Sequence, residues 1–123
     1  MQQRGIRGAT TIERDDRELV LSATRELLLA ILASNPDLKT DDIASALFTV
    51  TDDIASVYPA LAARQMGWDL VPMMCAREIP VTGSLPLCIR VLIHWNSNKA
   101  QSEIRHVYLH GAVKLRPDLA SAR

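Results

Sequence analysis

The stretch Leu87-Cys88-Ile89-Arg90-Val91-Leu92-Ile93 decides the fold. It is short, apolar and β-branched, the pattern of a buried strand, and it extends in both directions to cover 85–95. Arg90 sits in its middle. A guanidinium keeps its proton and is costly to desolvate without an anionic partner. Either a carboxylate of the chain meets it or an anionic ligand does. Arg4-Gly5-Ile6-Arg7-Gly8-Ala9-Thr10-Thr11 adds arginines among small residues, where a ligand can approach the backbone. Arg105-His106-Val107-Tyr108-Leu109 closes a further strand with a phenol. Leu115-Arg116-Pro117-Asp118-Leu119 brings one more arginine near the end.

Outward from the central strand, 4–12 reads as a strand with Ile6, Gly8, Thr10 and Ile12 on one face and Arg7 and Ala9 on the other. Asp15 or Asp16 caps a helix that runs to about Ser34 and stops at Asn35-Pro36. Val20, Ala23, Leu27 and Ile31 form its main apolar stripe. Leu29 and Leu32 fall near the opposite face. Either a loop or strand of the same chain covers them, or a neighbouring subunit does. A short helical turn at 40–43 precedes a strand over 46–51. A second helix is expected over 54–66, with Pro59 in its first turns and Gly67 as the stop. A strand over 68–74 carries Pro72, which suggests an edge position or bulge. Residues 76–84 and 96–102 read as loops, and 104–109 as the last strand. About five strands and two main helices make an α+β or mixed α/β sheet in one domain over 1–123, with a tail from about 112 expected to be mobile. The pattern does not give the strand order.

Composition narrows the function. Apolar residues make up 48% of the 123 and charged residues 23%, as in ordinary globular chains. The formal net charge is zero, which disfavours a nucleic-acid partner. Of fourteen basic residues only Lys39, Lys99 and Lys114 are lysines. That bias suits bidentate binding of carboxylates or phosphates, and genome composition produces it equally well. The longest apolar run, Leu27 to Ala33, is far short of a membrane span of about 20 residues. Gln2, Gln3, Arg4 and Arg7 interrupt any apolar signal core, so a cytoplasmic protein with Cys75 and Cys88 as free thiols is expected.

Much chemistry is missing. There is no Walker loop, dinucleotide glycine pattern or nucleophile elbow. His94, His106 and His110 lack metal-ligand spacing. Cys75 has no evident base beside it for covalent catalysis. Glu78 stands without the second carboxylate of an acid–base pair. Several arginines, one carboxylate, one phenol and one thiol remain, an inventory suited to holding a dianionic organic molecule and stabilising charge within it.

The motifs at 4–11, Glu78 with Val81-Thr82-Gly83, Cys88-Ile89-Arg90-Val91, Ile104 to Leu109 and Leu115 to Leu119 together resemble the monofunctional, trimeric chorismate mutases of the AroH type. The resemblance runs from Arg4 to Leu119. It implies a mixed sheet with helices on one side, three subunits forming a homotrimeric pseudo-α/β-barrel, and active sites at the subunit clefts. It also implies a cofactor-free rearrangement of chorismate, a dicarboxylate, to prephenate, within aromatic amino-acid biosynthesis. No nucleophile, proton transfer or metal is required; the protein holds the compact conformer and stabilises charge on the ether oxygen. By the same resemblance Arg90 faces that oxygen and Glu78 takes a hydrogen bond from the ring hydroxyl. Cys75 makes a secondary contact there. Arg7 and Tyr108 hold the side-chain carboxylate. Tyr58, Ala60 and Arg64 come from the neighbouring subunit's cleft wall. Met73 and Met74 line or back the pocket, and Leu115 and Arg116 belong to a closing tail. This sequence departs at one point: many relatives carry lysine two residues after the proline of Tyr58-Pro59-Ala60-Leu61, where Leu61 stands here. Alignment also needs a one-residue slip between Arg64 and Gly67. The alternatives are a non-catalytic trimeric protein that binds an anionic metabolite and, more distantly, a small trimeric deaminase acting on reactive imines.

Overall fold

The computed structural model of the chain describes residues 2–115. Its elements are β1 (Gln2–Thr11), α1 (Arg17–Ser34), β2 (Ile43–Val50), α2 (Ala60–Gln65), β3 (Met73–Arg77), β4 (Cys88–Ser97) and β5 (Val107–Tyr108), with short 3-10 turns at Thr40–Asp42, Gln101–Glu103 and His110–Leu115. The strands form one mixed sheet in the order β3-β2-β4-β1-β5. The arginine-bearing strand is its centre. β4 pairs antiparallel with β1 from Gln2↔Ser97 to Thr11↔Cys88, and antiparallel with β2 on its other side. The two edges, β3 and β5, pair parallel with β2 and β1.

Strand alternation divides the sheet into two unlike faces. Ile6, Phe48, Val91, Ile93 and Trp95 point to one face and are buried against Leu27, Leu28 and Ile31 of α1 and Ala60 and Ala63 of α2. Both helices therefore cover the same side. Gly8 belongs to that face: a Cβ there would come within 2.7 Å of Ile31 Cδ1 and 3.2 Å of Leu27 Cδ1. The small residue at position 8 lets a helix approach, whereas the sequence suggested approach by a ligand.

Asp16, of the two candidate acids, caps α1 by accepting from the Leu19 amide at 3.1 Å. Asn35 ends the helix and is buried. Its Nδ2 donates to Ile31 O at 3.0 Å and Arg105 O at 2.9 Å, while its Oδ1 accepts from the Arg105 amide at 3.0 Å. The expected stripe is buried at Val20, Leu27 and Ile31. Leu32 packs at the edge of the core and Leu29 stays exposed.

Three elements differ from expectation. The second helix is confined to Ala60–Gln65, and 51–59 is a loop. Two of its amides are satisfied from outside the segment: Asp15 accepts the Ala55 and Ser56 amides at 2.9 and 3.2 Å. Thr51 instead bonds Asp53 at 2.6 Å, and a proline suits only the first helical turn. The strand expected over 68–74 runs instead over Met73–Arg77. The Trp68 amide caps α2 through Ala63 O at 3.1 Å, and its ring is buried in the core. β3 is an edge strand, as Pro72 suggested. The last strand shrinks to Val107–Tyr108 opposite Gly8 and Ala9.

Candidate active site

Arg90 lies on the sheet face away from the helices. The strand is buried as expected, but the guanidinium is not: its side chain is 48% exposed in the single chain. Ile89 and Val91 take the two core positions, so alternation turns Arg90 outward. A carboxylate of the chain does meet it. Arg90 Nε stands 3.4 Å from Glu78 Oε2. The same carboxylate oxygen accepts a short hydrogen bond from the Thr49 hydroxyl, and Thr49 pairs with Arg90 across β2 and β4. Glu78 follows the end of β3, where its amide continues the ladder to Val50 O at 2.9 Å.

Arg7, Thr49, Glu78, Arg90, Tyr108 and Leu115 line one cavity of about 490 Å³. Arg7 comes from β1, and Tyr108 from β5 beside Ala9. Ala9, Cys88, Tyr108 and Ala112 pack as a small apolar cluster, with Leu115 against it. The turn His110–Leu115 is held by the Gly111 amide donating to Thr11 Oγ1 at 3.0 Å and by His110 Nε2 at 3.0 Å from Glu26 Oε1. These contacts bring Leu115 to the cavity. Arg116 lies outside the described residues. Cys88 is buried beneath Arg90; burial pushes its thiol pKa up, against the pull of the guanidinium. It is not available as a thiolate here.

Cys75 does not join this group within one chain, contrary to expectation. It sits opposite Phe48, on the helix side of the sheet. There it lines a second cavity of about 560 Å³ with Arg17, Ser56, Tyr58, Pro59 and Arg77. Met73 shares that face and packs against the core, while Met74 faces the other way and is 71% exposed. Ala60 is buried at the start of α2. Arg64 is exposed on α2 and lines neither cavity. Thr49 was missed from sequence because its partner is set by strand register, which the pattern does not give. Arg17 and Arg77 were missed because each reads as a solvated charge. Among the described residues no group of three His, Cys, Asp or Glu is placed to hold a metal ion. No described helix is long and apolar enough to cross a membrane.

The model of the family "Chorismate mutase type I" matches residues 3–119. The chain belongs to that family. It is 54% identical over 120 residues to the chorismate mutase AroH of Thermus thermophilus, covering 98% of each chain. It is 46% identical over 121 residues to the chorismate mutase AroH of Bacillus subtilis, covering 98% of this chain and 94% of that one. A chorismate mutase structure from Clostridium thermocellum superposes with a TM-score of 0.85 at 46% identity, over 88% of this chain and 96% of that one. Family membership and the mixed-sheet fold of a pseudo-α/β-barrel subunit agree with the motifs read from sequence, and chorismate mutase activity follows from both.

Proposed function

We propose that the Arg90 cavity binds chorismate and that its residues carry the rearrangement to prephenate as follows. The observation that supports this reading is the Arg90–Glu78 pair at 3.4 Å inside a cavity that Arg7 and Tyr108 also line. The pericyclic step breaks a carbon–oxygen bond as a carbon–carbon bond forms, and negative charge gathers on the ether oxygen. Arg90 donates to that oxygen. Glu78 accepts from the ring hydroxyl and faces the positive character of the ring fragment. Thr49 keeps the carboxylate in place. Arg7 and Tyr108 hold the side-chain carboxylate, which selects the compact conformer. Fixed donors aimed at developing charge supply most of the rate gain, and they act best in a site closed to water.

One chain leaves that site half open, and we infer that a second copy closes it. Tyr58, Met74, Ile79 and Val81 are exposed apolar groups, with Tyr58 at 70%. A threefold assembly buries such groups and brings the Tyr58 cavity of one subunit against the Arg90 cavity of the next. Cys75 then enters the shared site from the Tyr58 side, with Ala60 behind it and Arg64 at the rim. Free Cys75 and Cys88 suit the reducing cytoplasm.

Loss of chorismate absorbance on adding purified protein tests the activity, and sedimentation tests the assembly. Chorismate bound without turnover would make this a non-catalytic binding protein. A fully active monomer would rule out the shared site.

A further inference from the structure

Leu61 removes a cation that the resemblance places on the cleft wall, and the second cavity holds two others. Arg17 and Arg77 line it beside Tyr58, Pro59 and Cys75, and no carboxylate is among its described lining residues. Arg77 is the better placed. Its Nη1 donates to Thr51 O at 3.0 Å and Ile54 O at 3.1 Å, which fixes one corner of the guanidinium. Asp52 is 3.9 Å from Nε, a loose pair. Asp15, the other acid within its field, is turned onto the Ala55 and Ser56 amides. Among the described residues the Nη2 donors have no acceptor, and the side chain is 47% exposed. A planar fork anchored at one nitrogen has already lost most of its rotamer freedom, so its remaining donors suit a carboxylate.

We propose that Arg77 is a substrate-binding residue: from the neighbouring subunit's cavity it receives the carboxylate of the dianion that Arg7 and Tyr108 do not hold, with Arg17 as a flanking cation. This rests on the shared-site reading above. The charge lost at Leu61 is thereby supplied from a strand end instead of a helix. Helical side chains lean toward the helix N-terminus, so a lysine at 61 would extend over Tyr58 and Pro59 into the same cavity.

Steady-state kinetics of the full chain with chorismate tests this. Arg77→Gln is expected to raise KM by about tenfold or more, the scale of one charge-assisted hydrogen bond, with kcat changed less than about threefold. Adding Leu61→Lys to Arg77→Gln is expected to recover most of that loss. An unchanged KM, or a fall in kcat alone, overturns the proposal. So does a raised KM that Leu61→Lys leaves unmoved, since Arg77 would then only brace the 51–59 loop. If Arg77→Gln melts early, Arg77→Lys carries the test: an ammonium cannot keep the Thr51 and Ile54 contacts and also present a fork to the carboxylate, so its KM should rise about fivefold or more, and a KM unchanged from wild type overturns the proposal. Absence of wild-type turnover, or full activity in Arg90→Ala, would instead mark failure of the underlying site reading.

Discussion

The two cavities meet at the end of one edge strand and differ in their charges. Cys75 and Arg77 of β3 open onto the helix side with Tyr58, while Glu78, the next residue, turns to the other face and meets Arg90. One cavity pairs a cation with an anion and adds a phenol. The other is lined by cations without an acid. Alternation at the strand end turns two adjacent residues, Arg77 and Glu78, to two unlike surfaces. Neither surface alone encloses a dianion. The paired charges suit the reacting atoms, where opposite partial charges develop, and the loosely paired cations, each 3.9 Å from an acid outside the cavity, suit a group that stays anionic throughout.

The largest effect should come from removing the reacting-side cation. Arg90→Ala is expected to lower kcat by at least about 10²–10³, or about 3–4 kcal/mol of barrier, while the chain stays folded because the side chain is half exposed. Circular dichroism alongside turnover separates the two effects. A folded variant with near-native kcat would break the distinction between the cavities. Arg90→Lys should also be poor, since an ammonium lacks the fork.

Gly8→Ala sharpens the contrast between faces. The added methyl points at Ile31 and Leu27, not into the Arg90 cavity. Overpacking of that kind costs about 1–3 kcal/mol of stability, and Ile31 Cδ1 can swing aside, which favours the lower end. Thermal melting should show the loss, with KM for chorismate little changed. A stable variant with a raised KM would mean that the position faces the substrate after all.

Thr49→Val tests the cavity's internal support. It removes the hydroxyl that donates to Glu78, which leaves the carboxylate with Arg90 alone. A fall of about tenfold in kcat/KM is expected, and Thr49→Ser should restore it. A valine variant with wild-type kinetics would show that Arg90 suffices to place Glu78.

Much of this was legible in the residues. β1, α1 and β4 declared themselves through period and caps, and the arginine motifs pointed to the family. What failed was governed by contacts distant in sequence. Nothing local shows that Asp15 will take the Ala55 and Ser56 amides, so 54–59 reads as the start of a helix. The resemblance groups Cys75 with Glu78, whereas strand alternation sends them to opposite faces of the single chain. Arg90 reads as buried because an apolar strand suggests burial on both faces, whereas alternation leaves its side chain half exposed on the face away from the helices.

The smallest effect concerns the loop that carries Tyr58. Hydrogen bonding from Ser56 and from the Ala55 amide holds the Asp15 carboxyl below its ordinary pKa. The folded state therefore binds a proton less readily than the unfolded one at this site. Its contribution to stability is complete above the unfolded pKa of about 3.9. It declines as pH falls through that value and is lost below the folded one. Asp15→Asn removes the titration and weakens the clamp. Denaturant unfolding should show the variant slightly less stable than wild type at pH 7, with the gap closing as pH falls through and below the unfolded carboxylate pKa of about 3.9. Asp15 is exposed, so the gap at neutral pH should be modest, and high salt should narrow it. A gap that persists undiminished in acid would mean that Asp15 acts through its shape alone, and the loop would then owe its position to Arg77 and Asp53.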